Sequence, residues 1–241
     1  MIIKPGAPSL ASCILPTYNR RSFVPQAIQY FLRQEYEPKE LIIVDDGTDP
    51  VGDIVPADER IRFIRLEKKA TVGAKRNLAC ERAKGDVIVH WDDDDWMADW
   101  RLRYQVEQLR QAQADICGLN RLLFFDPIAL AAWEYVFPGT TKSWVYGATL
   151  CYTRSFWQRN PFPDINVGED TRFVWNDPEA TIVALSDNRW MAALIHPGNT
   201  STKRIEERCW MPCSFDVIRE LIGKDWEFYA GQGTVSPVTA G

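Results

Sequence analysis

No apolar run in the 241 residues approaches the roughly 20 needed to cross a bilayer as a helix. The opening stretch, MIIKPGAPSL, lacks the charged-then-apolar layout of a secretory signal. Lys and Arg are scattered rather than gathered into a stripe, and the formal charge is −5. A chain built mainly to grip nucleic acid needs clustered cations against phosphate, so that class is set aside. Six cysteines are present, but they lie mostly far apart in a chain too large to need staples, and several sit in apolar contexts. Free thiols are therefore expected. Cys209 and Cys213 are spaced i,i+4, yet no second pair completes a zinc site. There is no internal repeat. The resulting expectation is a soluble cytoplasmic protein with no membrane span and no nucleic-acid partner.

What is present is ordinary globular composition, 46% hydrophobic and 25% charged, with ten Trp, enough to bury a substantial core. Residues 10–15 are a short apolar run that reads as a buried strand stopped by Pro16. Ser22 is placed to cap a helix over 23–34, whose apolar residues recur at helical spacing. Residues 41–44 form the next strand, ended by Asp45-Asp46-Gly47, and 61–66 alternate as a half-exposed strand would. A helix over 74–83 closes at Gly85, and 87–91 is a buried strand running into four consecutive Asp. A helix over 99–113 and a strand over 116–119 follow. This β-α-β-β-α-β-α-β order predicts an α/β, Rossmann-like, mainly parallel sheet flanked by helices. Ligands of such sheets bind beyond the carboxyl ends of the strands, where the polar clusters at Thr17-Tyr18-Asn19, Asp45-Asp46 and Asp92–Asp95 fall.

The second half is less regular. Residues 121–137 are aromatic-rich and have no clear assignment. Residues 144–152 read as a strand entering 155–159, Glu169–Trp175 as a short helix, and 182–185 and 190–195 as apolar segments. Residues 205–222 are expected to be largely helical, kinked at Pro212. The tail, 231–241, has no core to join and is expected to be flexible. The domain reading is one unit over 1–230, in two halves, 9–120 and 121–230.

Four adjacent carboxylates, Asp92 to Asp95, repel one another unless a cation or hydrogen-bond donors hold them. Hard oxygen ligands suit Mg²⁺ or Mn²⁺, which prefer a few carboxylates plus phosphate oxygens to a closed protein cage. In an extended segment Asp92 and Asp94 would share one side while Asp93 faces away.

Residues 11–102 resemble the nucleotide-binding half of the family 2 glycosyltransferases, which have the GT-A fold. The resemblance is carried by SCILPTYNR at 12–20, LIIVDDGTD at 41–49, VGAKRNLACERAKGDVIVHWDDDDW at 72–96 and VGEDTRFVW at 167–175. It implies an inverting, metal-dependent transfer of a sugar, hexosyltransferase in type, from a nucleotide diphosphate sugar, typically UDP-linked, to an acceptor hydroxyl. It implies that Pro16, Thr17 and Tyr18, with Asn19 beside them, line the base pocket, and that Asp45 accepts a hydrogen bond from the base, with Asp46 adjacent. Arg76 would sit near the nucleotide, its planar fork suiting base or phosphate. The family pattern Asp-x-Asp-Asp places Asp92 near the ribose and Asp94 on the metal; here Asp93 fills the x position. Glu169-Asp170 matches the carboxylate pair from which the family draws its general base, and Asp170 is favoured for that role. His196 is a candidate metal ligand, and Asn199, Ser201, Lys203 and Arg204 candidate phosphate contacts. His90, inside a strand, reads as packing. Trp133, Tyr135, Trp144, Tyr146, Tyr152 and Trp157 are candidates for stacking on an acceptor. A nucleotidyltransferase would need a Gly-rich phosphate loop, and LPTYNRRS has no Gly. A non-catalytic nucleotide-binding module would not need both a metal carboxylate and a late base.

Overall fold

The computed structural model describes residues 9–139 and 143–232. Strand β1 (Ala11–Thr17) is buried almost throughout. It runs through Pro16 instead of stopping there. Its pairing with the neighbouring strand has ended at Ile14 with His90, so the missing N–H falls where that ladder has already stopped. Helix α1 (Val24–Leu32) starts after Phe23 with a Pro in its first turn and no side-chain cap; Ser22 does not cap it. Strand β2 (Lys39–Asp45) is wholly buried, and β3 (Ile61–Arg65) is half-buried along its length, as an edge strand is. Helix α2 (Val72–Arg82) is capped by Thr71, whose hydroxyl accepts from the Ala74 N–H. Strand β4 (Val87–His90) leads into the acidic run, which bends back through the two-residue strand β5 (Trp96–Met97). Helix α3 (Arg101–Gln111) and strand β6 (Ile116–Gly118) complete the first half.

The unassigned aromatic stretch is a hairpin, β7 (Arg121–Asp126) and β8 (Ala131–Val136). Most of the strand expected at 144–152 is instead loop and a single turn of tight helix, Gly147–Thr149, before β9 (Cys151–Thr153) and α4 (Arg154–Arg159). Helix α5 (Glu169–Trp175), β10 (Ile182–Ala184) and β11 (Met191–Leu194) follow, close to expectation. The helix expected over 205–222 is not one helix. Pro212 lies inside β12 (Trp210–Cys213), and only α6 (Phe215–Ile222) is helical. Pro212 is tolerated because β12 is an edge strand, where a missing N–H has no partner to lose. Gly231 belongs to α7 (Trp226–Gln232) and not to a tail; residues 233–241 of the expected tail lie outside the described residues.

The larger sheet has the order β10-β6-β9-β4-β1-β2-β3, with only β9 running against its neighbours. Alternate residues of β1 and β4 face opposite layers. Cys13, Leu15, Val87 and Val89 join α1 and α3 on one side, and Ile14 and Ile88 join α2 on the other. The second sheet, β12-β8-β7-β11-β5, packs its Phe124, Phe125, Trp210 and Met191 into the first of those layers. All six cysteines are free thiols. No helix among the described residues is long and apolar enough to cross a membrane.

Candidate active site

At the carboxyl ends of β1 and β4 lies a cavity of about 860 Å³. It is walled by the β1 loop, the start of α2, the acidic run, the start of α5 and the 193–203 segment. Pro16, Thr17, Tyr18 and Asn19 all line it, with Lys69 lying over the Tyr18 ring at 4.1 Å. Asn19 adopts a left-handed backbone conformation, φ 54°, and its side chain accepts from the Asp49 N–H, holding the turn after β2 against the β1 loop.

The four Asp of the run all reach this cavity. The expected alternation is absent because the segment is bent rather than extended after Asp92. Asp92 lies 3.9 Å from the Arg76 guanidinium. Asp93 accepts from the Thr17 hydroxyl at 2.6 Å. Asp94 Oδ2 is 2.9 Å from His196 Nε2, and Asp95 accepts from the Leu194 N–H at 3.0 Å. Each carboxylate is thus tied to a different element, which is how the fold tolerates four in a row. Burial, and then the charge of Asp94, pushes Asp93 up to about 7. Burial raises Asp92 and carries Asp95 well above the usual range. Asp94 moves the other way: against its own burial, the hydrogen bond from His196 and the charge of Arg20 hold it below the usual carboxylate value. Asp94 is therefore the carboxylate of the four most firmly kept as an anion.

Asp45 does not reach the cavity. Its carboxylate is fully buried and accepts from the Gly47 and Val51 N–H groups at 2.8 and 2.9 Å, so it shapes the turn after β2 and has no free face for a base. This corrects the expectation for that residue. Asp46 stands directly behind the lining. It accepts from the Ala70 N–H and pairs at 2.7 Å with Lys75, which lines the cavity and also donates to the Thr17 carbonyl.

Arg76 is buried and pairs with Glu169 across to α5. Desolvation works against its charge, but Glu169, Asp92 and Asp170 raise its pKa nonetheless. Burial pushes Glu169 up, with Arg76 opposing. Asp170, the next residue, lines the cavity as Glu169 does. Its carboxylate is seated on Gly147, where a Cβ would stand 1.9 Å from Asp170 Oδ2. The turn holding Gly147 is fixed from behind by His90, whose Nδ1 is 2.7 Å from the Gly147 carbonyl. Burial drives the His90 pKa well below its ordinary value, so the ring is neutral and Nδ1 carries the hydrogen.

From the late segment, Asn199, Ser201 and Lys203 line the cavity, the Lys203 ammonium donating to Tyr146 Oη and Ser201 Oγ at 3.1 and 3.0 Å. Arg204 does not line it and pairs with Glu207 on the surface. Of the six aromatics considered for stacking, Tyr146 lines the cavity, while Tyr152 is buried in the core and Trp157 bonds Asn77. Sequence reasoning missed Arg20, which spans to His196 and the Gly198 carbonyl. It stands in the SCILPTYNR stretch, but nothing local shows that it reaches a segment 176 residues away.

Among the described residues no group of three His, Cys, Asp or Glu side chains is gathered to hold a metal ion. Asp94 Oδ2 and His196 Nε2 are hydrogen-bonded at 2.9 Å, which brings a carboxylate oxygen and an imidazole nitrogen together, His196 itself not being among the lining residues. These residues fit a cation whose remaining ligands come from water and phosphate, as Mg²⁺ and Mn²⁺ prefer.

Residues 12–165 match the model of glycosyl transferase family 2. The chain is 31% identical over 112 residues to glycosyltransferase GlyG of Streptococcus pneumoniae serotype 4, covering 44% of this chain and 37% of GlyG. The fold is similar to that of S. aureus TarS 1–349 in complex with UDP-GlcNAc, with a TM-score of 0.61 at 19% identity, over 79% of this chain and 60% of that one. It is likewise similar to the mannosyltransferase PcManGT from Pyrobaculum calidifontis in complex with GDP-Man and Mn²⁺, with a TM-score of 0.62 at 17% identity, over 83% and 59% of the two chains. The chain thus spans 37% of GlyG and about 60% of the two solved chains, and at such identities the structural likeness is one of fold. With the family model matched over more than half its length, and a parallel sheet carrying the acidic run at its carboxyl rim, the chain belongs to the family 2 glycosyltransferases and has the GT-A fold.

Proposed function

We propose that this protein transfers a sugar from a nucleoside diphosphate sugar to an acceptor hydroxyl, with inversion and with help from a divalent cation. The observation that carries the reading is one cavity lined on one wall by Asp94, whose carboxylate meets His196 at 2.9 Å, and on another by Asp170, whose carboxylate is seated against Gly147. The β1 loop, Pro16 to Asn19, would take the base, with Asp46 behind it in the place first given to Asp45. Asp92 and Arg76 would flank the ribose and the phosphates. Asp94 and His196 would hold Mn²⁺ or Mg²⁺, whose contribution is to offset the charge gathering on the departing diphosphate. Lys203 lines the cavity with its ammonium donating to the Tyr146 and Ser201 hydroxyls, and it would bind a diphosphate oxygen. Asp170 would take the proton from the acceptor hydroxyl as that oxygen attacks the anomeric carbon, which inverts because the displacement is single. Residues 9–120 would serve the donor's base and ribose and 121–230 the acceptor, with His196 and Lys203 reaching from the second half to the cation and the diphosphate, within one unit over 1–230.

A uridine diphosphate donor is the first to test, since one similar structure holds UDP-GlcNAc while the other holds GDP-Man. The test is a panel of nucleotide sugars with and without Mn²⁺, following nucleoside diphosphate release. Asp94→Ala is expected to abolish cation-dependent nucleotide binding and to lower the thermal midpoint, because Arg20 and His196 lose the carboxylate they face. Binding by Asp94→Ala as tight as wild type in Mn²⁺ would overturn the assignment.

A further inference from the structure

Arg20 leaves the β1 loop and crosses the cavity mouth to the far end of the chain. Its guanidinium donates to the Gly198 carbonyl and stands 3.3 Å from His196 Nε2. It lies 3.7 Å from Asp94 Oδ2, with its Nε 3.9 Å from Asp93 Oδ1, and the side chain is only 15% exposed. The other cations around the cavity are engaged elsewhere: Lys69 over the Tyr18 ring, Lys75 with Asp46, Arg76 with Glu169, Lys203 with two hydroxyls. Arg20 therefore faces the same two atoms, Asp94 Oδ2 and His196 Nε2, that would hold the divalent cation. Both cannot be served at once. His196 Nε2 has one lone pair or one hydrogen to offer. In this arrangement it is taken up by accepting from Arg20 or by donating to Asp94, whereas a metal ligand needs that lone pair free.

We propose that Arg20 is an exchangeable counter-cation for this site. In the ligand-free protein it offsets the Asp93–Asp94 charge and pins the turn at 196–198 onto the acidic run. When the cation arrives with the diphosphate, the guanidinium moves off these atoms and takes phosphate oxygens instead, a partner its planar fork suits. The site would then admit a cation poorly alone and well with the nucleotide, and the late segment would be released and recaptured within each cycle. This rests on the reading of Asp94 and His196 as the cation pair.

The experiment is Mn²⁺ binding, read by electron paramagnetic resonance, to the full chain and to Arg20→Gln and Arg20→Lys, first without nucleotide and then with UDP. Arg20→Gln is expected to bind Mn²⁺ alone about ten-fold or more tightly than wild type, since a neighbouring positive charge is gone. It should gain less than wild type from adding UDP, with Arg20→Lys in between. In EDTA the Arg20→Gln thermal midpoint should fall below that of wild type, and Mn²⁺ should restore it. Asp94→Asn added to Arg20→Gln should abolish the gain, which ties the bound ion to this pair. If wild type binds Mn²⁺ with UDP but Arg20→Gln binds Mn²⁺ alone no more tightly than wild type, the Arg20 proposal fails and the cation pair stands. If no variant binds Mn²⁺ even with UDP, the cation pair itself is wrong, and the role of Arg20 falls with it.

Discussion

Adjacent residues with the same chemistry have been given different partners at the start of α5. Both line the cavity, but Glu169 pairs with buried Arg76 while the Asp170 carboxylate rests on Gly147. Their substitutions should therefore fail in different ways. Asp170→Asn is expected to lower turnover by about two to four orders of magnitude with nucleotide affinity near wild type, the share usual for a general base. Glu169→Gln leaves a buried guanidinium short of its counter-charge and should cost about 3 kcal/mol of stability, measured by urea unfolding. If Glu169→Gln loses turnover at full stability while Asp170→Asn keeps it, the roles are exchanged. Gly147 is the third member of this arrangement. A methyl there must displace the Asp170 carboxylate, because its place lies 1.9 Å from Asp170 Oδ2. Gly147→Ala should lower turnover by about a hundred-fold, the scale of a 1 Å misplacement, and leave UDP affinity unchanged by calorimetry. Turnover within two-fold of wild type would show that the carboxylate does not need its seat.

The N-terminus of α2 shows how an element is fastened at its end. The 163–166 segment lies across it, with Asp164 taking the Thr71 hydroxyl, Ile165 O the Gly73 N–H, and the Asn166 side chain the Val72 N–H. Gly73 allows this approach, since a Cβ would meet the Pro163 carbonyl at 1.9 Å. Glycine inside a helix ordinarily costs about 1 kcal/mol relative to Ala. Here the sign should reverse: Gly73→Ala is expected to destabilise by about 2 kcal/mol, the scale of an overpacked contact that backbone must absorb. Chemical denaturation of the two proteins decides it, and a stabilised Gly73→Ala would mean that the segment moves aside freely. The same crossing carries the chain from the main sheet to α5, so α2 and Asp170 are placed by one set of contacts.

Across the molecule, the two walls of the cavity are joined from behind by a buried polar brace. Arg101, fully buried between the rings of Trp91 and Trp190, donates to the His90 and Ala148 carbonyls, and His90 in turn holds Gly147. Burial lowers the Arg101 pKa to about 10, which still leaves it charged at neutral pH. His90 gives this brace a pH signature. Its folded-state pKa lies well below the ordinary 6.5, so below about pH 6.5 the unfolded chain binds a proton that the folded one refuses. The His90 contribution is whole above that value and is lost progressively as pH falls beneath it. Raised acids such as Asp93 act oppositely, so the comparison must be with a variant. His90→Asn keeps a donor for the Gly147 carbonyl but does not titrate. The stability difference between wild type and His90→Asn should shrink as pH is lowered from 7.5 to 5.5, measured by urea unfolding. A difference constant with pH would place the His90 proton in both states.

What the sequence determined by itself was local: the strand and helix order of the first half, the acidic run at a strand end, the free thiols, and the family to which these stretches point. The order of elements and the place of the acidic run depend on periodicity and turn chemistry within a few residues, which the chain displays directly, and the family rests on the resemblance of four such stretches. The tertiary structure decided what depends on distant partners. Asp45 and Asp46 are chemically identical neighbours, and only the packing of Val51 over one and Lys75 over the other shows which is locked in a turn. The hairpin, β11 and β12 come from separate stretches of the second half, so no single window displays their sheet, and Pro212 reads as a helix breaker until its strand is seen to be an edge. Arg20 is ordinary in the sequence because its partners stand 73 to 178 residues away, brought to it by the folding of the sheet.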